Sequence, residues 1–216
     1  KNSIEEMQVI SGAFSAEYGH AMSGIVNIIT KDGSNQTKAY LSSYLGDFIS
    51  NKSSLFQNIS DIQLSSTKNL DLSLNGPIIK DKLFYFTNAR SIRYEGPYSG
   101  KRIFNYYNVS YFDSTGSFVV SKPTVLNGDT VYTGYGDNSY VPMDWNEHNY
   151  FQLKLIYKFS PLTKIRFTRI NDNKVSQYYD RMYKYNPDGA LNHNDVSETN
   201  IFQITKNFNK NTFINF

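Results

Sequence analysis

The chain has 216 residues, with 22 Lys+Arg against 19 Asp+Glu and a formal net charge of +3. So small a basic excess, without a Lys/Arg cluster, argues against nucleic-acid binding, and the absence of Cys excludes a disulfide scaffold, thiolate metal sites and a Cys nucleophile. No apolar run reaches the roughly 18 residues of a transmembrane helix. The 18 Tyr, 15 Phe and 24 Asn favour strands and turns, as in a soluble sandwich or an outer-membrane barrel.

In chain order, residues 4–10 predict a short strand, and 12–23 a small-residue turn region with one helical turn. Residues 24–30, Gly-Ile-Val-Asn-Ile-Ile-Thr, form a β-branched run of the kind buried on both faces. The cluster 31–35 closes this unit as a turn. Strands with one apolar face follow. Residues 38–48 place Tyr40, Tyr44 and Phe48 on one side. In 67–75, Leu70, Leu72 and Leu74 alternate with Asn69, Asp71 and Ser73. In 83–93, Phe84, Phe86 and Ile92 oppose Tyr85, Thr87 and Ser91. In 150–159, Phe151, Leu153, Leu155, Tyr157 and Phe159 oppose Gln152, Lys154 and Lys158. Weaker alternation marks 164–171 and 200–208, and Phe213 begins another strand. Period two with one polar face is the signature of a pleated strand.

The connections alternate in length: 49–66 long, 75–82 short, 94–149 very long, 160–163 short, 172–199 long, 209–212 short. A soluble domain rarely holds loops of that length without structure. A meander crossing a membrane has short turns at one end and long loops at the other. Turn chemistry marks the short ones: Asn75-Gly76-Pro77, Ser160-Pro161 and Asn209-Lys210-Asn211. The fold class expected is mainly β: an antiparallel transmembrane barrel fragment of six to seven strands. A start at Lys1 rather than Met, and a strand-like run at 212–216, suggest an internal piece of a longer protein.

Two stretches resemble a known family. Phe14-Ser15-Ala16-Glu17-Tyr18-Gly19 with Ser23-Gly24-Ile25-Val26-Asn27-Ile28-Ile29-Thr30-Lys31 is similar to the end of the plug domain in TonB-dependent outer-membrane receptors. Leu74 through Phe86 (Leu-Asn-Gly-Pro-Ile-Ile-Lys-Asp-Lys-Leu-Phe-Tyr-Phe) resembles their first periplasmic hairpin, in the SusC-like or Oar-like branch. The resemblance implies an α/β plug seated in a barrel of about 22 strands. Residues 1–33 would be the C-terminal part of the plug and 34–216 the first barrel strands with their extracellular loops. It further implies a location in the outer membrane of a Gram-negative bacterium, among lipid and lipopolysaccharide. Ligand import would be driven by the TonB complex, acting through a region not in this chain. A surface lipoprotein lid is a candidate partner. The alternatives are a non-transporting adhesin on a related barrel and a soluble glycan-binding β-domain.

No catalytic constellation is visible: no P-loop follows a strand and no Ser sits in a Gly-x-Ser-x-Gly elbow. Neither an enzyme nor a cofactor is expected. The plug-motif residues are Glu17, Tyr18, Gly19, Gly24 and Asn27; Glu17 and Tyr18 suit either a latch to the barrel wall or a solvated turn with a packing ring. His193 with Asp180, Asp188, Asp195 and Glu198 lacks the spacing of a calcium loop, and no metal is expected. The ligand-binding candidates are Tyr106, Tyr107, Tyr132, Tyr135, Tyr140 and Trp145, whose flat rings with a polar edge suit sugar faces. The same rings would also serve to pack the loop or form a membrane-interface girdle. They give a lean toward a glycan. If the barrel forms, Leu70, Leu72, Leu74, Phe151, Leu153 and Leu155 should face lipid. Asn69, Asp71, Ser73, Gln152 and Lys154 should then face the lumen.

Overall fold

The computed structural model describes residues 4–11, 24–52, 54–60, 62–104, 110–112, 114–120, 123–126, 129–132, 136–209 and 212–216. The expected helical turn in 12–23 lies outside them. Strands β1 (Ile4–Ile10) and β2 (Ile25–Thr30) pair antiparallel as a two-stranded ribbon. The main body is one seven-stranded antiparallel sheet. Its strands are β3 (Lys38–Gly46), β4 (Thr67–Ile79), β5 (Leu83–Glu95), β12 (Trp145–Ser160), β13 (Thr163–Gln177), β14 (Asn192–Asn209) and β15 (Thr212–Asn215). They lie side by side in chain order, so the sheet is an up-and-down meander.

Between β5 and β12, short strands form their own ribbons. Strand β6 (Ser99–Lys101) pairs with β11 (Tyr140–Pro142), β7 (Ser110–Phe112) with β8 (Phe118–Val120), and β9 (Pro123–Leu126) with β10 (Asp129–Tyr132). The very long connection thus carries strands of its own. Two 3-10 turns, Arg181–Tyr183 and Pro187–Gly189, lie between β13 and β14.

The pleat divides the sheet into two faces of opposite chemistry. Direct register partners line up Leu41, Leu72, Ala89 and Phe151 on one face, next to Leu74, Thr87 and Leu153. The other face carries Ser73, Asn88 and Gln152 in one row and Asp71 with Arg90 beside it. Burial runs opposite to a water-soluble sheet. Leu70 is 51% and Leu72 38% exposed, whereas Gln152 is 1% and Lys154 4% exposed. Asp71, Ser73, Asn88 and Thr168 are buried as well. The buried polar groups find partners, as they must: Asn88 Nδ2 donates to Asp71 Oδ1 at 2.8 Å. Phe84, Phe86 and Ile156 form a small apolar core on the same covered face, toward the short turns.

Long and short connections alternate as expected, but the strands are longer than the apolar alternation suggests. Strand β13 runs on to Gln177 and β14 starts at Asn192, so polar residues continue the ladder and the connection shrinks from 172–199 to 178–191. Asn75-Gly76-Pro77 is not a turn. These residues stay in β4, paired with Phe86, Tyr85 and Phe84, because β3 ends opposite Asn75 and leaves Pro77 on an edge where no donor is needed. The turn falls at Lys80–Lys82, with Asp81 in the left-handed region at φ 62°. The β2 run expected to be buried on both faces is open instead: Val26, Ile28 and Ile29 are exposed, and among the described residues only β1 pairs with β2.

Candidate functional site

Two sites emerge, one at each end of the sheet. The first is where the long connections meet. Gly100 sits on Met143, which is fully buried. A Cβ on Gly100 would lie 2.5 Å from Met143 Sδ and 2.9 Å from the Lys184 carbonyl, so only glycine permits this approach. The Lys101 and Phe104 amides donate to the Lys184 and Tyr185 carbonyls at 2.8 and 2.9 Å. Arg102 forks onto Asp188, Nε to Oδ2 at 2.7 Å and Nη2 to Oδ1 at 3.0 Å. Trp145, the first residue of β12, donates its indole N–H to Gln177 Oε1 at 2.7 Å. The Gln177 amide in turn donates to the Pro187 carbonyl at 3.2 Å. Tyr98 stacks on Tyr179 with centroids 4.6 Å apart and meets Phe56 at 5.7 Å, so one ring from each long connection joins the cluster.

These contacts leave a cleft of about 940 Å³, lined by Arg93, Phe104, Trp145, Glu147, Gln177 and Asn192 among others. Its cations are paired: Arg93 with Glu95 and Glu147, Arg102 with Asp188 and Asp137. The Ser139 hydroxyl and amide, donating to Asp137, hold that carboxyl below its usual range, with Arg102 adding to the effect. Burial pushes the Asp144 carboxyl up. A cleft with one indole wall, paired charges and amide side chains is equipped for polar uncharged ligands.

Of the candidate ligand residues, Trp145 lines this cleft. Tyr140 lies in β11, 42% exposed, with Lys101 Nζ 5.6 Å from its ring centre. Tyr132 ends β10 opposite Pro123. Tyr106, Tyr107 and Tyr135 lie outside the described residues, as do Glu17, Tyr18 and Gly19. Gly24 precedes β2 and Asn27 pairs with Gln8 within the ribbon. The acidic residues around His193 disperse. Asp180 caps the 3-10 turn through the Met182 amide, Asp188 holds Arg102, Asp195 faces Lys174 across the ladder, and Glu198 pairs with Arg169 at 2.9 Å. His193 itself lies against Tyr178. Among the described residues no group of three or more His, Asp or Glu is placed to hold a metal ion.

The second site is at the short-turn end of the covered face. Asp32, just after β2, accepts from Lys154 Nζ at 2.9 Å and from Arg166 Nη2 at 2.8 Å. Lys154 Nζ also donates to the Thr30 carbonyl at 2.8 Å. Gly33 lies against the β5 backbone, and Asn35 and Asp81 exchange hydrogen bonds of 2.6 and 3.0 Å. The segment leaving β2 is therefore fastened to three strands and to the first short turn. Nothing local in the sequence marks Asp32 or Gln177 for these roles, since each partner is distant in the chain.

Comparison with known proteins finds no matching family model, curated protein or solved structure.

Proposed function

We propose that this chain is part of a TonB-dependent outer-membrane receptor or transporter, comprising the exit of its plug and the first strands of its barrel. The observation that carries the reading is the inverted polarity of the seven-stranded sheet. Leucines and aromatic rings occupy the open face, while Asp71, Asn88, Gln152 and Lys154 are buried on the other. A sheet in water gains stability by covering its apolar face. A barrel wall in lipid does the reverse, with apolar residues outward and a polar interior. Strands of 13, 16, 15 and 18 residues for β4, β12, β13 and β14 exceed the roughly 9–11 residues that cross a bilayer, as expected if they rise past it into long loops.

On this reading residues 32–38, approximately, are the plug-to-barrel linker, and Asp32, Gly33 and Asn35 fix it to the wall. The cleft beside Trp145 lies among the long extracellular connections, and its indole, amide and ion-paired lining supports a glycan as the ligand. Import would draw on the proton-motive force through TonB, because the outer membrane has no energy source of its own. A soluble glycan-binding domain would need Leu70, Leu72 and Phe151 covered, which counts against that alternative.

The test is site-directed spin labelling in the full-length protein in bilayers, with single cysteines at Leu72, Leu153, Ser73 and Gln152. Labels at Leu72 and Leu153 are expected to collide with oxygen and to be shielded from a water-soluble nickel chelate, and the other two the reverse. Equal accessibility at all four positions overturns the barrel reading. Uptake of candidate glycans by a deletion strain then separates transporter from adhesin, since loss of an adhesin leaves uptake unchanged.

A further inference from the structure

The open face of the sheet is not smooth. A trough of about 540 Å³ crosses it where the apolar rows give way to polar ones. Its floor is made of small or short side chains, Ala89 and Ser91 on β5 and Asn149 on β12, between the taller Leu70 and Leu72 of β4 and Phe151 of β12. Register fixes the arrangement: Leu72, Ala89 and Phe151 stand in one row, and Leu70, Ser91 and Asn149 in the next row toward the long connections. One end of the trough is thus hydrocarbon. The other carries hydroxyl and amide groups, extended by Asn173, while Asn171 follows Phe151 in the first row.

The charges at its border are already paired. Arg169 is bound by Glu198 at 2.9 Å and by Asn171 at 3.0 Å. Arg93, one row further toward the long connections, is held between Glu95 and Glu147. A phosphodiester head would compete with carboxylates for both cations. A head bearing hydroxyls or amides would meet groups able to donate and accept: Ser91 donates to Asn149 Oδ1 at 2.7 Å, and Asn173 has no side-chain partner among the described residues.

We propose that this trough is a binding site for a membrane lipid with an uncharged, hydroxyl- or amide-bearing head, such as a glycosylated or N-acylated lipid. Its acyl chain lies along Leu70, Leu72 and Phe151, and its head rests on Ser91, Asn149 and Asn173. The assignment rests on the membrane reading above, because only in a bilayer does this face meet acyl chains. The fit is one of charge as well as shape: the polar end offers neutral donors and acceptors and no unpaired cation.

Native mass spectrometry of the full-length protein, extracted from its membrane in mild detergent, tests this with Ala89→Trp, the smaller fill Ala89→Leu, and Asn149→Leu. Wild type is expected to retain one neutral glycosylated or N-acylated lipid. Ala89→Trp and Ala89→Leu should lower its occupancy by about tenfold or more, and Asn149→Leu should abolish its preference over added phosphatidylglycerol. Equal retention by wild type and both fills overturns the site, as does a wild-type preference for phosphatidylglycerol. A wild type that floats with membranes yet retains no lipid removes the trough site alone. One that fails to float removes the membrane reading with it.

Discussion

Asp32 and Lys154, 122 positions apart in the chain, meet at 2.9 Å, with Arg166 closing on the second carboxylate oxygen at 2.8 Å. Burial pushes the Asp32 carboxyl up, but the hydrogen bond and charge of Lys154, together with Arg166, outweigh it and hold the group below its ordinary 3.8. A carboxyl depressed in the folded state contributes stability that is present above its unfolded value and is lost as pH falls through its folded one. Acid below about pH 4 should therefore loosen the wild type through this contact. Asp32→Asn leaves the buried Lys154 ammonium without its anion. Because Asp32 is partly solvated, the cost at neutral pH should be about 1–3 kcal/mol rather than the full penalty of a deeply buried pair. The variant should also lose part of the acid sensitivity. Denaturant unfolding of both proteins in detergent across acid and neutral pH checks this, and parallel pH profiles would refute it.

Gly33 makes the next contact along the same segment. A Cβ there would lie 2.5 Å from the Tyr85 carbonyl oxygen and 2.8 Å from Phe84 Cβ, and backbone cannot yield as a flexible side-chain end can. Gly33→Ala should cost about 1–3 kcal/mol, the range of an overpacked core. Its effect should be absent once Asp32→Asn and Asn35→Ala have already freed the segment. An alanine variant as stable as wild type would mean that the segment does not sit against β5.

How much of this was legible depends on the range of the contact. The period of two in Leu70-Asp71-Leu72-Ser73-Leu74 and in Phe151-Gln152-Leu153-Lys154-Leu155 marked both strands and assigned each residue to a face, and the ladder keeps those assignments. The alternation of long and short connections likewise signalled the meander. Asn75-Gly76-Pro77 misled because turn chemistry is local, whereas pairing with Phe84–Phe86 is settled by the neighbouring strand. The apolar run of β2 indicated burial that requires partners from elsewhere. Asp32, Gln177 and the Arg102–Asp188 fork were invisible because ion pairs and amide contacts between separate elements, from 10 to 134 positions apart, leave no period to read.

Leu72 offers the sharpest test of what the open face meets. In water, a leucine already 38% exposed would accept arginine with little change, as surface substitutions usually fall within about 0.5 kcal/mol. Against hydrocarbon, Leu72→Arg should cost more than that, up to about 2–4 kcal/mol at the midplane. Folding titrations into bilayers give the difference directly, and near-neutrality would turn this face back to solvent.

Arg102 and Asp188 join the β6 segment to the connection between β13 and β14, and the planar fork is what makes the contact bidentate. Arg102→Lys keeps the charge but offers a single rotatable ammonium in its place. Both partners are partly exposed, so global stability should change by no more than about 1 kcal/mol. The local effect should be larger. The amides of Lys101, Ile103 and Phe104, which donate to the Lys184 and Tyr185 carbonyls, should exchange hydrogen severalfold faster once the two segments separate more often. Amides within β12 and β13 should keep their protection. If the first three exchanged no faster in the variant, the fork would not be what holds the two segments together, and the backbone bonds alone would suffice.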